Sequence, residues 1–484
     1  MNLRQLLEPL LHRKNPSWEK VEIVGITSDS RLVKPGYLFI AIGGHKNHGF
    51  DHAKEAFDNG AVAMLTDAPK TGKRSRHVIV YVERGRYNLS RISSKFYTPR
   101  PETTVAVTGT NGKTSTVDFV RQIWERLGLP GASIGTLGVI SMPYRASLGH
   151  TTPPADIMHR ELMELAKRKI EYVALEASSH GIEQQRLDHI GITAAGFTNL
   201  TVDHLDYHKT MENYRKAKFR LFTEILAPGQ TAVINADTPE YPMLYELCKR
   251  RQFQVIDYGR NANYLRITNI RRTNTHQYVD VVIPGDRKKE FETTIAGEFQ
   301  IYNILCAIGL VFAKYQKFTP LFECIPYLKP VHGRLELVGR NQHECPVFVD
   351  YAHTPDALER VLNTLRPITK KRLIVIFGCG GNRDSTKRSM MGKIAKKLAD
   401  ITIVTDDNPR NEDPADIRQQ IIAACPEAIE IDNRREAIQH GISLLKSGDV
   451  LLVAGKGHET GQIIGSYTLP FDDCEAVRTI LSEG

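Results

Sequence analysis

The chain has 484 residues, 41% hydrophobic and 25% charged, with 64 basic against 55 acidic residues and a net charge of +9. That length exceeds one ordinary core and predicts roughly two to four domains of a globular protein. A mild basic excess spread this thinly favours small anionic ligands and excludes the dense patch of a nucleic-acid binder.

The N-terminus, Met1 to Gln5, is polar and leads into an amphipathic pattern, unlike a signal peptide. No apolar run is long enough to cross a bilayer, so a cytoplasmic location without membrane insertion is expected. Residues 1–99 read as a small mixed α/β unit, with a turn at Pro35-Gly36, a strand over Leu38–Ile42 and a short helix from Ala53 closed by Gly60. The stretch Tyr97-Thr98-Pro99-Arg100-Pro101 is a proline-punctuated linker.

From residue 100 to 330 apolar strands alternate with amphipathic helices, the signature of a doubly wound parallel sheet. Its strands include Val105–Val107, Tyr172–Leu175 and Thr231–Ile234. A second break falls at Pro330–Arg334. Beyond it, over 331–484, the strands Val347–Val349, Leu373–Phe377, Ile401–Val404 and Val450–Val453 predict a Rossmann-like unit. No GxGxxG accompanies them, so a dinucleotide is not implied. The seven cysteines stand singly, without a CxxC pair, and suggest neither a disulfide framework nor a zinc site.

The strongest local signal is Thr108-Gly109-Thr110-Asn111-Gly112-Lys113-Thr114, between a strand and a helix. Gly109 and Gly112 let backbone N–H groups approach phosphate oxygens, Lys113 neutralises charge, and the Thr114 hydroxyl suits Mg²⁺. Val107 stands where the general GxxxxGK[ST] pattern has glycine, so this is a compact variant. ATP is the expected ligand.

TGTNGKT resembles the ATP loop of the Mur ligase and folylpolyglutamate synthase superfamily. Further blocks follow in that family's order: Glu176 to Gly181, Thr198 to His208, Asp350 to Asp356, Gly378 to Asp384, Asp407 to Arg410, and Gly455 to Glu459. The resemblance spans essentially the whole chain and is strongest to the diaminopimelate-adding Mur ligases. It implies an ATP-dependent amide ligase that activates a carboxylate as an acyl-phosphate in peptidoglycan precursor synthesis. Three domains are implied: 1–99 for the UDP-sugar, 100–330 for ATP and 331–484 for the incoming amino acid.

By that resemblance Gly109, Thr110, Asn111, Gly112, Lys113, Thr114 and Ser115 hold ATP, with Asn303, Arg334, Asp350 and His353 around adenine, ribose and γ-phosphate. Thr114, Glu176 and His204 are the implied Mg²⁺ ligands. Lys218 is the implied carbamylated lysine, which would ligate or orient the second Mg²⁺. Lys113, Lys218, His204 and Glu176 form the catalytic set. Ser28, Ser30, His45, Lys46 and Asn47 match positions for the uridine diphosphate, and His150, Thr151, Thr152, Ser178, Gln184 and Arg186 for the muramoyl dipeptide. Arg383, Asp407, Asn408, Pro409, Arg410, Gly455 and Glu459 match the amino-acid site.

Diaminopimelate is lysine with one more carboxylate, which a guanidinium can pair bidentately; Arg410 is the implied reader of it. The chain is expected to work as a monomer on UDP-MurNAc-dipeptide and diaminopimelate. Three positions depart from the family. Gly461 stands where an aromatic is usual and is expected to loosen its loop. His332 stands where proline is common, and Asn382 where aspartate is. A lysine-adding or paralogous ligase with a modified acceptor or amino acid is the alternative within the family. A P-loop nucleotide switch is the alternative outside it.

Overall fold

The computed structural model describes residues 1–8, 16–44, 47–69, 76–273 and 276–483. His45 and Lys46, expected at the nucleotide-sugar end, lie outside the described residues.

Three main sheets follow one another along the chain. The first is four-stranded and parallel, in the order Gly25–Thr27, Tyr37–Ala41, Ala63–Thr66, Val78–Tyr81. Its core includes Leu38, Ile40, Ala63 and Leu65, and the helix Gly85–Phe96 leads out of it.

The central sheet has 11 strands. Its parallel middle runs Leu265–Arg272, Gln254–Gly259, Thr231–Asn235, Ala194–Phe197, Thr103–Thr108, Tyr172–Glu176, Gly131–Gly135. Val105 and Val107 join one apolar core and Ala106 the opposite one. This period of two, with both faces covered, is why the strand reads as a continuous apolar run. The helix Lys113–Arg126 lays Val117, Val120, Ile123 and Trp124 on that first core. The helix Glu298–Tyr315 is buried almost throughout.

Antiparallel strands extend both edges of this sheet, Gln277–Ile283 with Arg287–Thr293 on one side and Gly138–Ser141 with Arg145–Ala146 on the other. None of these was anticipated. Residues Gln277 to Ile283 alternate buried and half-buried, and Pro284-Gly285-Asp286 turns the chain into the partner strand, with Gly285 and Asp286 at positive φ.

The third sheet runs Glu336–Arg340, Pro346–Asp350, Val450–Ala454, Leu373–Phe377, Ile401–Val404, Ile429–Glu430, parallel except for the first pair. Leu373, Val375 and Phe377 point into one core, Ile374 and Ile376 into the other. Burying each such side chain contributes about 1.5–3 kcal/mol. Arg434 is wholly buried against Asp473, with Nε and Nη2 each donating at 2.7 Å, and Nη2 also donates to the Ala454 carbonyl at 2.9 Å. That pair ties the last helix, Asp473–Glu483, to the end of a central strand of this sheet. Among the described residues no helix is long and apolar enough to cross a membrane.

Candidate active site

The phosphate loop leaves the strand Thr103–Thr108 and enters the helix at Lys113. Gly109 and Gly112 have φ of 151° and 88°; a Cβ would stand 1.8 Å from Thr198 Oγ1 at the first and 2.3 Å from Asn303 Oδ1 at the second. Both positions therefore demand glycine. Lys113 Nζ turns back onto its own loop, donating to the carbonyls of Gly109 (2.9 Å) and Thr110 (2.8 Å). Burial pushes its ammonium below the usual lysine range.

Glu176 ends the strand beside the loop. Its carboxylate accepts from Thr114 Oγ1 at 3.1 Å and from the Thr136 N–H at 2.8 Å. A threonine hydroxyl and a carboxylate in contact are the hard oxygen donors that Mg²⁺ prefers. Arg334 Nη2 also donates to Thr114 Oγ1, at 3.1 Å, while its guanidinium stacks 4.4 Å from the Tyr351 ring centre. Arg334 Nε and Gln300 Nε2, both in the cleft wall, are buried with no partner among the described residues. Such donors suit an anionic or polar ligand.

His204 has left-handed φ of 54°, its ring edge-on to His180 at 4.9 Å. Loss of solvent outweighs the attraction of Asp203 and brings its pKa down to about 4, so the imidazole is neutral and free to act as a ligand at neutral pH. Lys218 is 1% exposed and donates to the Gly109 carbonyl at 2.7 Å, the same oxygen that Lys113 contacts. Burial first, then Lys113, pushes its pKa well below the usual lysine value.

Lys113, Thr114, Glu176, His204 and Arg334 face a cleft of about 1470 Å³ walled by the central and third sheets, and Lys218 lies behind its lining. From the third sheet come Asp350 and His353. Asp350 accepts from the N–H groups of Leu335 (2.6 Å) and Ala352 (2.7 Å), and burial raises its pKa to about 6 against the pull of Arg334. His353 Nδ1 lies 2.9 Å from the Tyr351 carbonyl. Asn303 donates to Gln300 Oε1 at 2.9 Å.

Thr151, Thr152, Ser178, Gln184 and Arg186 gather behind Glu176. Thr152 Oγ1 donates to the Glu176 carbonyl and accepts from the Ser178 N–H. Arg186 donates to the Thr152 carbonyl and to Gln184 Oε1. His150 is exposed nearby. Ser28 and Ser30 are already engaged, Ser28 with Asp156 (N–H at 2.9 Å) and Ser30 with Glu55 (2.7 Å). The Asn47 carbonyl accepts from the Gly44 N–H.

The amino-acid candidates form a second cluster at the C-terminal ends of the third sheet's strands. Arg410 has left-handed φ of 54°, and its Nη1 donates to the Gly381 carbonyl at 2.9 Å. Burial, then neighbouring Arg383, disfavours its charge, which is the condition an added carboxylate would relieve. Asn408 donates to Glu459 Oε2 at 2.7 Å and accepts at Oδ1 from Lys456 Nζ at 3.2 Å. Asp407 accepts from the Asn408 N–H at 2.7 Å, and a Cβ on Gly455 would stand 2.8 Å from its Oδ2.

Gly461 is not loose. It opens the strand Gly461–Ile464, paired with Tyr467–Pro470, and its carbonyl accepts from Lys456 Nζ at 2.6 Å. An added Cβ would meet Thr468 Cγ2 at 2.6 Å. Asn382 sits at φ 51°, a conformation asparagine tolerates, and accepts from the Asn411 N–H. Asn199 and Asp356 lie within the family-like sequence blocks without an assigned role, and Thr136 lies outside every block. Asn199 Oδ1 accepts from the Asn111 N–H at 2.9 Å, and Asp356 accepts from Asn111 Nδ2 at 2.9 Å.

A phosphate loop with a carboxylate partner, facing a second sheet that carries paired arginines, defines a nucleotide-dependent α/β enzyme of the three-sheet type. The chain matches the Mur ligase family, catalytic domain, over residues 22–97, the Mur ligase middle domain over 107–311, and the Mur ligase, glutamate ligase domain over 333–457. It is 46% identical over 470 residues to the UDP-N-acetylmuramoyl-L-alanyl-D-glutamate–2,6-diaminopimelate ligase of Agrobacterium fabrum, covering 96% of this chain and 94% of that protein. The protein of the same name from Brucella melitensis is 45% identical over 464 residues, covering 96% and 95%. A solved structure bearing that ligase name superposes with a TM-score of 0.71 at 30% identity, covering 100% of this chain and 99% of that one. The chain belongs to the Mur ligase family and is an ATP-dependent ligase.

Proposed function

We propose that this ligase joins meso-diaminopimelate to the D-glutamate carboxylate of UDP-MurNAc-L-Ala-D-Glu, through an acyl-phosphate, in peptidoglycan precursor synthesis. The observation that carries the reading is the pairing on one chain of two anion sites, the Lys113 loop with Thr114–Glu176 and the Arg383–Arg410 pair on the facing sheet. On this reading residues 1–99, 100–330 and 331–484 serve the UDP-sugar, ATP and amino acid in turn. On the same reading the protein acts as a monomer in the cytoplasm.

A carboxylate oxygen of D-glutamate attacks the γ-phosphorus and ADP leaves; the amine then attacks the acyl carbon, releases phosphate and gives up its proton. Lys113 exchanges the loop's carbonyls for phosphate oxygens, a charge-assisted contact stronger than those it leaves. Thr114 and Glu176 would hold one Mg²⁺ and His204 a second. When bound, these ions offset the negative charge gathered on phosphate and acceptor.

Lys218 is a buried amine whose proton is disfavoured, the form that can add CO₂, and a carbamate there would turn a costly buried cation into an anion beside Lys113. Arg410 pairs the distal carboxylate of diaminopimelate, and Glu459 its ammonium.

The test is phosphate release from ATP with UDP-MurNAc-L-Ala-D-Glu and a panel of amino acids. Release is expected only when the dipeptide and diaminopimelate are both present. Equal turnover with lysine, or hydrolysis independent of both substrates, would overturn the reading. In the same assay Lys218→Arg, which cannot carry a carbamate, is expected to be inactive; wild-type turnover removes the carbamate from the scheme.

A further inference from the structure

His332, which departs from the family two residues before Arg334, lies in a cluster that contains none of the residues assigned to ATP or amino-acid binding. Its Nδ1 is 3.0 Å from Glu336 Oε2 and its Nε2 is 3.4 Å from Asp472 Oδ2. Cys474 Sγ is 3.4 Å from the same Glu336 oxygen. One donor atom each from His332, Asp472 and Cys474 all fall within 4.8 Å of one another. We propose that His332, Asp472 and Cys474 bind a borderline-soft divalent metal ion of the Zn²⁺ class, with Glu336 at Nδ1 orienting the His332 ring.

The donor set chooses the ion. One imidazole nitrogen, one sulfur and one carboxylate match Zn²⁺ or Co²⁺ and do not match Mg²⁺, which takes oxygen alone. A tetrahedral zinc with bonds of about 2.0–2.3 Å separates its ligand atoms by roughly 3.3–3.8 Å. The donor atoms, within 4.8 Å of one another, must therefore draw closer by up to about 1–1.5 Å on binding.

Neighbouring groups already aim the carboxylates. Gly333 N–H donates to Glu336 Oε2 at 2.9 Å, Arg478 Nη2 to Oε1 at 2.8 Å, and the Glu475 N–H to Asp472 Oδ1 at 3.0 Å. Contacts of this outer kind orient metal ligands. The ion has a way in, because the His332 side chain is 39% exposed while Cys474 is fully buried.

The ligands come from the segment before Arg334 and from the start of the last helix. Asp472 and Cys474 lie 140 and 142 residues beyond His332, which is why no spacing motif announces the site. An occupied site would fasten the last helix to the segment that leads into Arg334.

The experiment is a Co²⁺ titration of the full, chelator-treated chain without nucleotide, followed by absorption spectroscopy. One ion per chain is expected, with a near-ultraviolet thiolate-to-cobalt charge-transfer band that added Zn²⁺ abolishes. Cys474→Ser should lose that band, and His332→Gln, at a part-exposed position, should weaken binding at least about tenfold. Absence of the band in the wild-type chain, its persistence in Cys474→Ser, or unchanged affinity in His332→Gln would each overturn the proposal.

Discussion

Arg410 shows how much chemistry one side chain can carry and how its backbone prepares it. The left-handed φ at this position and the bond from its N–H to the Ile463 carbonyl at 3.0 Å fix the chain, so the guanidinium has few ways to point. Its Nη1 meets only carbonyl oxygens, those of Gly381 and Asn408, and Arg383 stands near it as a like charge. A second carboxylate on the substrate would satisfy both arginines, whereas lysine leaves them opposed. Removing one partner from such a pair costs on the order of 2–5 kcal/mol. Arg410→Ala is therefore expected to lower kcat/KM for diaminopimelate by about a hundredfold or more, with the Kd for ATP unchanged. Steady-state kinetics beside nucleotide titration would check this, and parallel losses in both would remove Arg410 from amino-acid selection.

At the scale of elements, the phosphate loop was legible because its demands are local. Two glycines at positive φ, a lysine opening a helix and a buried strand before it are written in consecutive residues. Gly112→Ala must bear left-handed backbone strain of about 1–2 kcal/mol and a Cβ 2.3 Å from Asn303 Oδ1. It is expected to weaken ATP binding at least about tenfold, read by nucleotide titration, while the far-ultraviolet spectrum keeps its α/β form. Unaltered affinity would mean the loop does not approach phosphate closely.

The hairpin Gln277–Ile283 with Arg287–Thr293 is legible in the turn Pro284-Gly285-Asp286, but its place at the edge of the central sheet is set by a partner strand outside the hairpin. The Gly461 loop was misread for a related reason. What stiffens it is Lys456 Nζ and the facing strand Tyr467–Pro470, neither visible from the missing aromatic. Arg434 and Asp473, 39 residues apart, form a buried pair that no periodicity suggests.

Across the whole molecule, the site exists only while the third sheet stands over the central one. Two contacts join them at the nucleotide loop. Asp356, in the first turn of the helix Pro355–Leu365, accepts from Asn111 Nδ2 at 2.9 Å and Thr201 Oγ1 at 3.2 Å, and Arg334 reaches Thr114. Asn111 is itself part of the phosphate loop, so the closed arrangement and the loop's shape support each other. Two part-buried hydrogen bonds contribute about 1–2 kcal/mol net, enough to shift an open–closed equilibrium by roughly five- to thirtyfold. Asp356→Ala is therefore expected to expand the nucleotide-free chain in small-angle scattering and to lower kcat/KM for ATP by a similar factor. Saturating ATP with both other substrates should restore the compact form, because those ligands bridge the two sheets. An unchanged radius of gyration with unchanged kinetics would show that this contact does not govern closure, leaving Arg334–Thr114 as the joint to test.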